Sequence, residues 1–385
     1  MGVLDKIKEM HSVKGTDMKV TEFFKLFKKD NSLYENASER MLRAIGDPLI
    51  VDTKNDIVLS RVFSNKVIKK YPAFKDFFGM EEVIEQIVSF FKHSSQGLEE
   101  KKQILYIMGP VGGGKSSLAE KLKSLMQENP IYVLKAGDEI SPVFESPLGL
   151  FSDYADEIEK EYGIPKRYIP ACPSPWALKR LKEFNGDVDK FKVVKVYPSI
   201  QGQLSISKVE PGDENNQDIS TLVGNVNISK LGEFEHSDAD AYSYTGGLCL
   251  GNQGILEFVE MFKAPIKILN PLLTATQEGN FKGTEPVGAI PFNGIILAHS
   301  NESEWDKFAQ DKKNEAFLDR IYKVQVPYCL RVTEEEKIYE KLLKHSSLFA
   351  AACAPKTIEM LAQFAVMSRL VVPENSHLFS KMRVY

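Results

Sequence analysis

The chain has 385 residues, 43% of them hydrophobic, and a formal net charge of −4. That length exceeds one typical domain, and the apolar share supplies a large core. No basic excess argues for a nucleic-acid groove or an anionic membrane surface, so neither nucleic acid nor membrane is an expected partner.

Residues 1–65 read as a charged, N-terminal helical region. Met18-Lys-Val-Thr-Glu-Phe-Phe-Lys-Leu-Phe-Lys-Lys interleaves aromatic and basic residues, a pattern that fits a nucleic-acid contact but is better expected of an amphipathic helix that docks by its Phe face. Ser38 to Ile45 reads as a helix closed by Gly46. A core spanning 66–330 follows. Its first helix runs from Glu82 to Lys92, and Ile104-Leu-Tyr-Ile-Met108 is a short buried strand.

Directly after that strand comes Gly109-Pro-Val-Gly-Gly-Gly-Lys115-Ser116-Ser117, which meets the phosphate-loop pattern GxxxxGK[ST] at every fixed position. Leu118, Leu122, Leu125 and Met126 then recur at helical spacing, so the loop joins a strand to a helix, the context the motif requires. Glycines (here Gly109, Gly112, Gly113 and Gly114) let successive main-chain amides curl around phosphate oxygens without Cβ clashes. Pro110 and Val111 complete the loop. The helix start presents partial positive charge to the same anion. Lys115 is expected to reach the β- and γ-phosphates and the Ser116 hydroxyl to ligate Mg²⁺, with ATP as the nucleotide and Ser117 closing the cradle.

Ile131 to Lys135 is expected as the next strand of a parallel sheet flanked by helices, an α/β phosphate-loop fold. Residues 141–217 are rich in proline (Pro142, Pro147, Pro165, Pro170, Pro173, Pro175, Pro198, Pro211) and read as an insertion. Within it Trp176 to Lys182 is helical, Lys192–Tyr197 and Gln203–Val209 alternate as strands of a hairpin, and Pro211–Asp218 is a polar turn. Ile255–Val259 and Gly294–Ala298 are core strands around a helix from Pro265 to Gln277. Tyr322 to Val326 is the last core strand, stopped by Pro327. Residues 331–385 read as a partial helical lid. Lys381-Met-Arg-Val-Tyr385 carries no stop signal, so the chain is expected to be a piece of a longer protein.

A phosphate loop needs carboxylates at a neighbouring strand end, one to orient Mg²⁺ and one to polarise the attacking water. Glu260 closes its strand where the water-activating acid belongs. Val259 stands where an Asp would precede it, so Glu257, two residues back on the same face, is a candidate metal-side carboxylate. The alternative for Glu257 is a salt-bridged strand residue, since a buried Glu must be paired or coordinating. Asn301 follows the next strand and is a candidate contact for the γ-phosphate or the lytic water, against a loop-capping role. His299 reads as a packing residue rather than a base. Arg320 precedes the last strand and is a candidate arginine finger toward a neighbouring subunit, against a salt bridge to Asp319. The four cysteines (Cys172, Cys249, Cys329, Cys353) are scattered and the six histidines form no paired-ligand spacing, which suits a reducing cytoplasm. No stretch is long enough to span a bilayer.

Together the loop, strand-end acid, polar Asn and late Arg resemble the AAA+ ATPases, and Thr245-Gly-Gly-Leu-Cys-Leu-Gly-Asn-Gln-Gly is similar to the magnesium-chelatase and MoxR branch. Longer strings resemble the bacterial PrkA-type serine protein kinases: Glu257-Phe-Val-Glu-Met-Phe-Lys-Ala-Pro-Ile-Lys, Leu272-Leu-Thr-Ala-Thr-Gln-Glu-Gly-Asn and Leu297-Ala-His-Ser-Asn-Glu-Ser-Glu-Trp. Val326-Pro-Tyr-Cys-Leu-Arg and Ser380-Lys-Met-Arg-Val-Tyr continue the likeness across nearly the whole chain. The resemblance implies an ATP-dependent enzyme that phosphorylates protein serines, a protein substrate, and a homo-oligomeric ring. The usual kinase motifs HRDxxxxN, DFG and VAIK are missing from this sequence, which leaves open an AAA+ motor or a Lon-like ATP-dependent protease component. The lid arginine that contacts nucleotide in that family is expected beyond Tyr385, with Arg369 its nearest stand-in.

Overall fold

Every side chain of β1 (Ile104–Met108) is buried, as an unbroken apolar run requires when both faces of its sheet are covered. The computed structural model describes residues 17–27, 30–211, 218–347, 351, 353–372 and 374–383. β1 joins β2 (Ile206–Val209), β3 (Ile255–Val259), β4 (Ile295–Ser300) and β5 (Ile321–Gln325) in one sheet, in the order β5-β1-β4-β3-β2. β3 runs parallel to both neighbours: Ile255 pairs with Ile295 and Ile206, and Val259 with His299. Helices Lys115–Met126, Ile266–Glu278 and Glu302–Gln310 follow β1, β3 and β4 in turn. The architecture is the α/β phosphate-loop fold that alternating strands and helices imply.

Two strands lie elsewhere than the sequence suggests. Ile131–Ala136 is not in the parallel sheet. It pairs antiparallel with Phe191–Val196 in a second, four-stranded sheet completed by Met18–Lys19 and Glu139–Ile140. Ile131, Val133 and Val194 form that sheet's core, with Phe144 and Leu204 packed on it. The anticipated hairpin of 192–197 with 203–209 is accordingly absent, because its two arms enter different sheets. Only Ser199 and Leu204 bridge. Gln203 (φ 48°) and Ser205 (φ 57°) adopt left-handed conformations, which turn the chain out of the first sheet before β2 begins. Ile255 N then donates to Ser205 O at 3.0 Å, setting β2 beside β3. The supposed insertion therefore contributes an edge strand to the central sheet. Most of the polar turn at 211–218 lies outside the described residues.

The helix Val20–Phe27 buries Val20, Phe23, Phe24 and Phe27. Phe23 meets Tyr132 with ring centroids 5.0 Å apart, and Phe24 meets Phe151 at 4.8 Å and Tyr162 at 5.0 Å. The aromatic face therefore serves packing, and Lys25 on the same helix stays exposed.

The chain packs as two groups. The first comprises the described residues of Met1–Ala44 with Ser89–Ile107 and Ser116–Lys323; the second comprises Ile45–Val88, Met108–Lys115 and Val324–Tyr385. In the second, Leu49–Asp52 and Val67–Lys70 form an antiparallel hairpin. The helices Val332–Lys344 and Thr357–Arg369 are fastened by a bidentate pair: Arg369 Nη1 and Nη2 donate to Glu335 Oε2 and Oε1 at 2.9 and 2.8 Å. Among the described residues no helix is long and apolar enough to cross a membrane.

The tightest point of the central register is Gly254, where a Cβ would lie 1.7 Å from the Ser205 carbonyl oxygen. Gly254→Ala is expected to cost at least about 3 kcal/mol, the upper range for overpacked interiors, read as a lower urea midpoint. Gly232→Ala, with no atom near its added Cβ, is expected to stay within about 0.5 kcal/mol of the parent.

Candidate nucleotide-binding site

The loop that leaves β1 is shaped by close backbone approach. A Cβ on Gly109 would fall 2.3 Å from Val326 O, while Val326 N donates to Met108 O at 2.7 Å. Only glycine permits that contact. Gly112 (φ +76°) and Gly114 (φ +87°) adopt left-handed backbone, which other residues enter at a cost. Gly113 N donates to Pro110 O at 3.2 Å, closing a turn. Val111 projects outward, 75% exposed. Lys115 is buried, and its ammonium donates to Gly109 O and Pro110 O, each at 2.7 Å. The loop therefore places a buried cation against its own main-chain carbonyls. Ser116 and Ser117 are exposed at the start of the following helix.

The sheet's own group holds the other candidates. Glu260 follows β3 in left-handed geometry (φ 48°, ψ 45°), a conformation that costs a non-glycine residue about 1–3 kcal/mol. Its amide donates to His299 O at 2.8 Å. Its carboxylate is half-exposed and pairs with Lys263 Nζ at 2.6 Å. Asn301 occupies the N-cap position of the helix Glu302–Gln310, yet its side chain makes no capping bond to that helix. Beside it, Trp305 packs against Tyr106 and Phe262, and Tyr106 and Ser300 share a hydrogen bond. Arg320 makes no ion pair with Asp319 or any other acid among the described residues. Its guanidinium donates to Ala316 O and, with the Gln277 amide turned to offer its oxygen, to Gln277 at 2.6 Å.

The sequence offers Glu257 either as a metal-side carboxylate or as a salt-bridged strand residue. It is 1% exposed, and both carboxylate oxygens are engaged: His299 Nε2 lies 3.0 Å from Oε1 and Lys123 Nζ 2.6 Å from Oε2. A carboxylate already facing a buried lysine offers less net negative field to a metal ion than a free one. The salt-bridged role is the one its surroundings favour. Burial alone would raise the Glu257 pKa; the contacts with His299 and Lys123 outweigh it and hold the carboxyl below its ordinary value. Lys123 is likewise held above its ordinary value, burial notwithstanding, by Glu120 and Glu257. His299 packs between strands, as its sequence context implied.

Lys123 was not singled out from the sequence, although a signal was present. It stands four residues after Ala119 and three before Met126, on the buried stripe of the loop helix. A lysine there demands a buried acid. Among the described residues no cluster of three or more His, Cys, Asp or Glu is placed to hold a metal ion.

Comparison with known proteins bears directly on this arrangement. The model of the PrkA AAA domain matches residues 18–377. The chain belongs to the PrkA AAA domain family. It is 62% identical over 388 aligned residues to the serine/threonine kinase YeaG of Escherichia coli K12, covering 100% of this chain and 60% of that protein. It is 38% identical over 330 residues to the ATP-dependent protease PrkA of Bacillus subtilis, covering 82% of this chain and 51% of that one. The chain thus spans little more than half the length of these curated relatives. Among solved structures, one of magnesium chelatase subunits BchI and BchD overlays with a TM-score of 0.41 at 16% identity, covering 80% of this chain and 78% of the other. As a PrkA AAA domain, the chain is an AAA+ ATPase-type module.

The buried triad makes the domain acid-sensitive. Because the folded pKa of Glu257 is depressed, its contribution is complete above the unfolded value of 4.5 and is lost as pH falls through the folded value. Glu257→Gln is expected to destabilise the domain by about 1.5–3 kcal/mol near neutral pH, since it removes one of the two carboxylates on buried Lys123 and leaves the exposed Glu120 as its charged partner. The gap to the parent should narrow as pH drops below 4.5, measured by urea unfolding across that range.

Proposed function

We propose that this domain binds Mg-ATP in the loop 109–117 and hydrolyses it, coupling that chemistry to phosphorylation or remodelling of a protein partner. The observation that carries the reading is the glycine loop wrapped around the buried Lys115 ammonium. Its two carbonyl contacts at 2.7 Å are ones that phosphate oxygens, as charged acceptors, would replace with a gain. The residues present fit Mg²⁺ in the usual manner of such loops, through few protein ligands plus the phosphates. Ser116 would hold the ion; Glu257, tied to Lys123 and His299, would not. Bound there, Mg²⁺ would neutralise charge on the β- and γ-phosphates.

In hydrolysis, water attacks the γ-phosphorus, the bond to the β–γ bridging oxygen breaks, and ADP departs. Glu260 takes the water's proton as general base. To do so its carboxylate must leave Lys263. Asn301, its side chain unused in capping, orients the water. Arg320 would serve a neighbouring subunit of a homo-oligomeric ring, giving up Gln277 and Ala316 when it does. If a serine hydroxyl replaces water, the same displacement makes the phosphoprotein. The protease name carried by the Bacillus subtilis relative supports a second reading, ATP-driven remodelling that feeds proteolysis.

Calorimetry with Mg-ATP and Mg-ADP tests the core claim. The parent should bind both, and Lys115→Ala should lose at least about tenfold in affinity, since a charge-assisted contact is worth about 1.5–3 kcal/mol. Parent protein that takes up neither nucleotide defeats the proposal. For the acid, Glu260→Gln should lower phosphate release by about 10²–10⁴-fold while Mg-ADP affinity stays within about threefold; undiminished turnover removes Glu260 from the role. With γ-labelled ATP and a protein mixture, label on serine supports the kinase outcome, and free phosphate alone the motor.

A further inference from the structure

Resting on the nucleotide-binding reading above, we infer that Tyr328 is a positioning residue for the phosphate loop, holding the Val111–Gly112 peptide in the orientation that phosphate binding uses. The Tyr328 hydroxyl donates to Val111 O at 3.1 Å. A trans peptide is planar, so its C=O and N–H point in opposite directions. Fastening the Val111 carbonyl therefore aims the Gly112 amide.

The loop needs such a fastener at this point more than at any other. Gly112 is left-handed (φ +76°), and no atom lies within 4 Å of where its Cβ would be. Val111 is 75% exposed, so packing does not hold it either. A peptide preceding glycine, with open space on its side, flips at little steric cost. Elsewhere the loop is gripped by its own chain: Gly109 against Val326, Gly113 bonded to Pro110, Gly114 against Met80.

Tyr328 is itself held. The Arg369 guanidinium lies 5.0 Å from its ring centroid. Arg369 is fixed in turn by both oxygens of Glu335, which is 3% exposed, and by Cys329 O at 2.9 Å. The two lid helices thus brace the ring, and the ring's hydroxyl sets the loop peptide. This gives Arg369 an office other than direct nucleotide contact: three of its five donors bond Glu335 and Cys329 within its own chain, and it acts on the loop through Tyr328.

Tyr328→Phe removes one hydroxyl and keeps the ring under Arg369. By calorimetry it should bind Mg-ADP about three- to tenfold more weakly than the parent, the range for losing one neutral hydrogen bond, with an unchanged urea midpoint. Arg369→Gln should also weaken binding, and adding Tyr328→Phe to it should produce less than the product of the two effects, because coupled residues are non-additive. Parent-like affinity in Tyr328→Phe overturns the inference, as does weaker binding that only tracks a lowered midpoint. Multiplicative effects in the double variant overturn the role of Arg369. A parent that binds no Mg-ADP defeats the nucleotide reading instead, and is told apart by that result alone.

Discussion

Three buried charged or ionisable groups, on three different elements, govern how the centre of the sheet is assembled. Lys123 comes from the helix that follows the phosphate loop, Glu257 from β3 and His299 from β4. The Lys123 and Glu257 charges would each be costly alone in that interior; Lys123 is paired with Glu257 and Glu120, and Glu257 with Lys123 and His299. The His299 carbonyl also receives the Glu260 amide. One residue therefore links the buried charge cluster to the backbone of the strand-end acid. Apolar packing could join these elements in several registers; an ion cluster accepts one.

The second group combines close main-chain contact with charge. Gly109 lies against the Val326 carbonyl with no room for a side chain, so the phosphate loop meets the residue that follows β5 at backbone distance. Arg331 pairs with Glu81, and Arg369 with Glu335, tying the chain before and after Tyr328. The helices Val332–Lys344 and Thr357–Arg369 are in this way tied to the segment whose Tyr328 bonds the loop.

Much of the central sheet was legible because its signals are local. β1 is an unbroken apolar run, β3 and β4 are apolar runs interrupted only by Glu257 and by His299 and Ser300, and the phosphate loop is a contiguous motif. What escaped was decided by pairing at a distance. Ile131–Ala136 and Phe191–Val196 are separated by a long proline-rich stretch, and nothing in either segment says which sheet it joins. The left-handed turns at Gln203 and Ser205, which divert the chain into β2, occur at residues with no strong preference for that conformation. In the site, residue types were readable and partnerships were not. Glu257 declared itself as a buried acid, but its partner Lys123 is far away in sequence, and only the fold brings the two to 2.6 Å.

The left-handed backbone at Glu260 has a consequence for engineering. Glycine would relax the main chain there and abolish the carboxylate, so a screen for thermal robustness alone would select against the acid. The strain that glutamate carries at this position is borne by the bonds around it, the amide to His299 O and the carboxylate to Lys263.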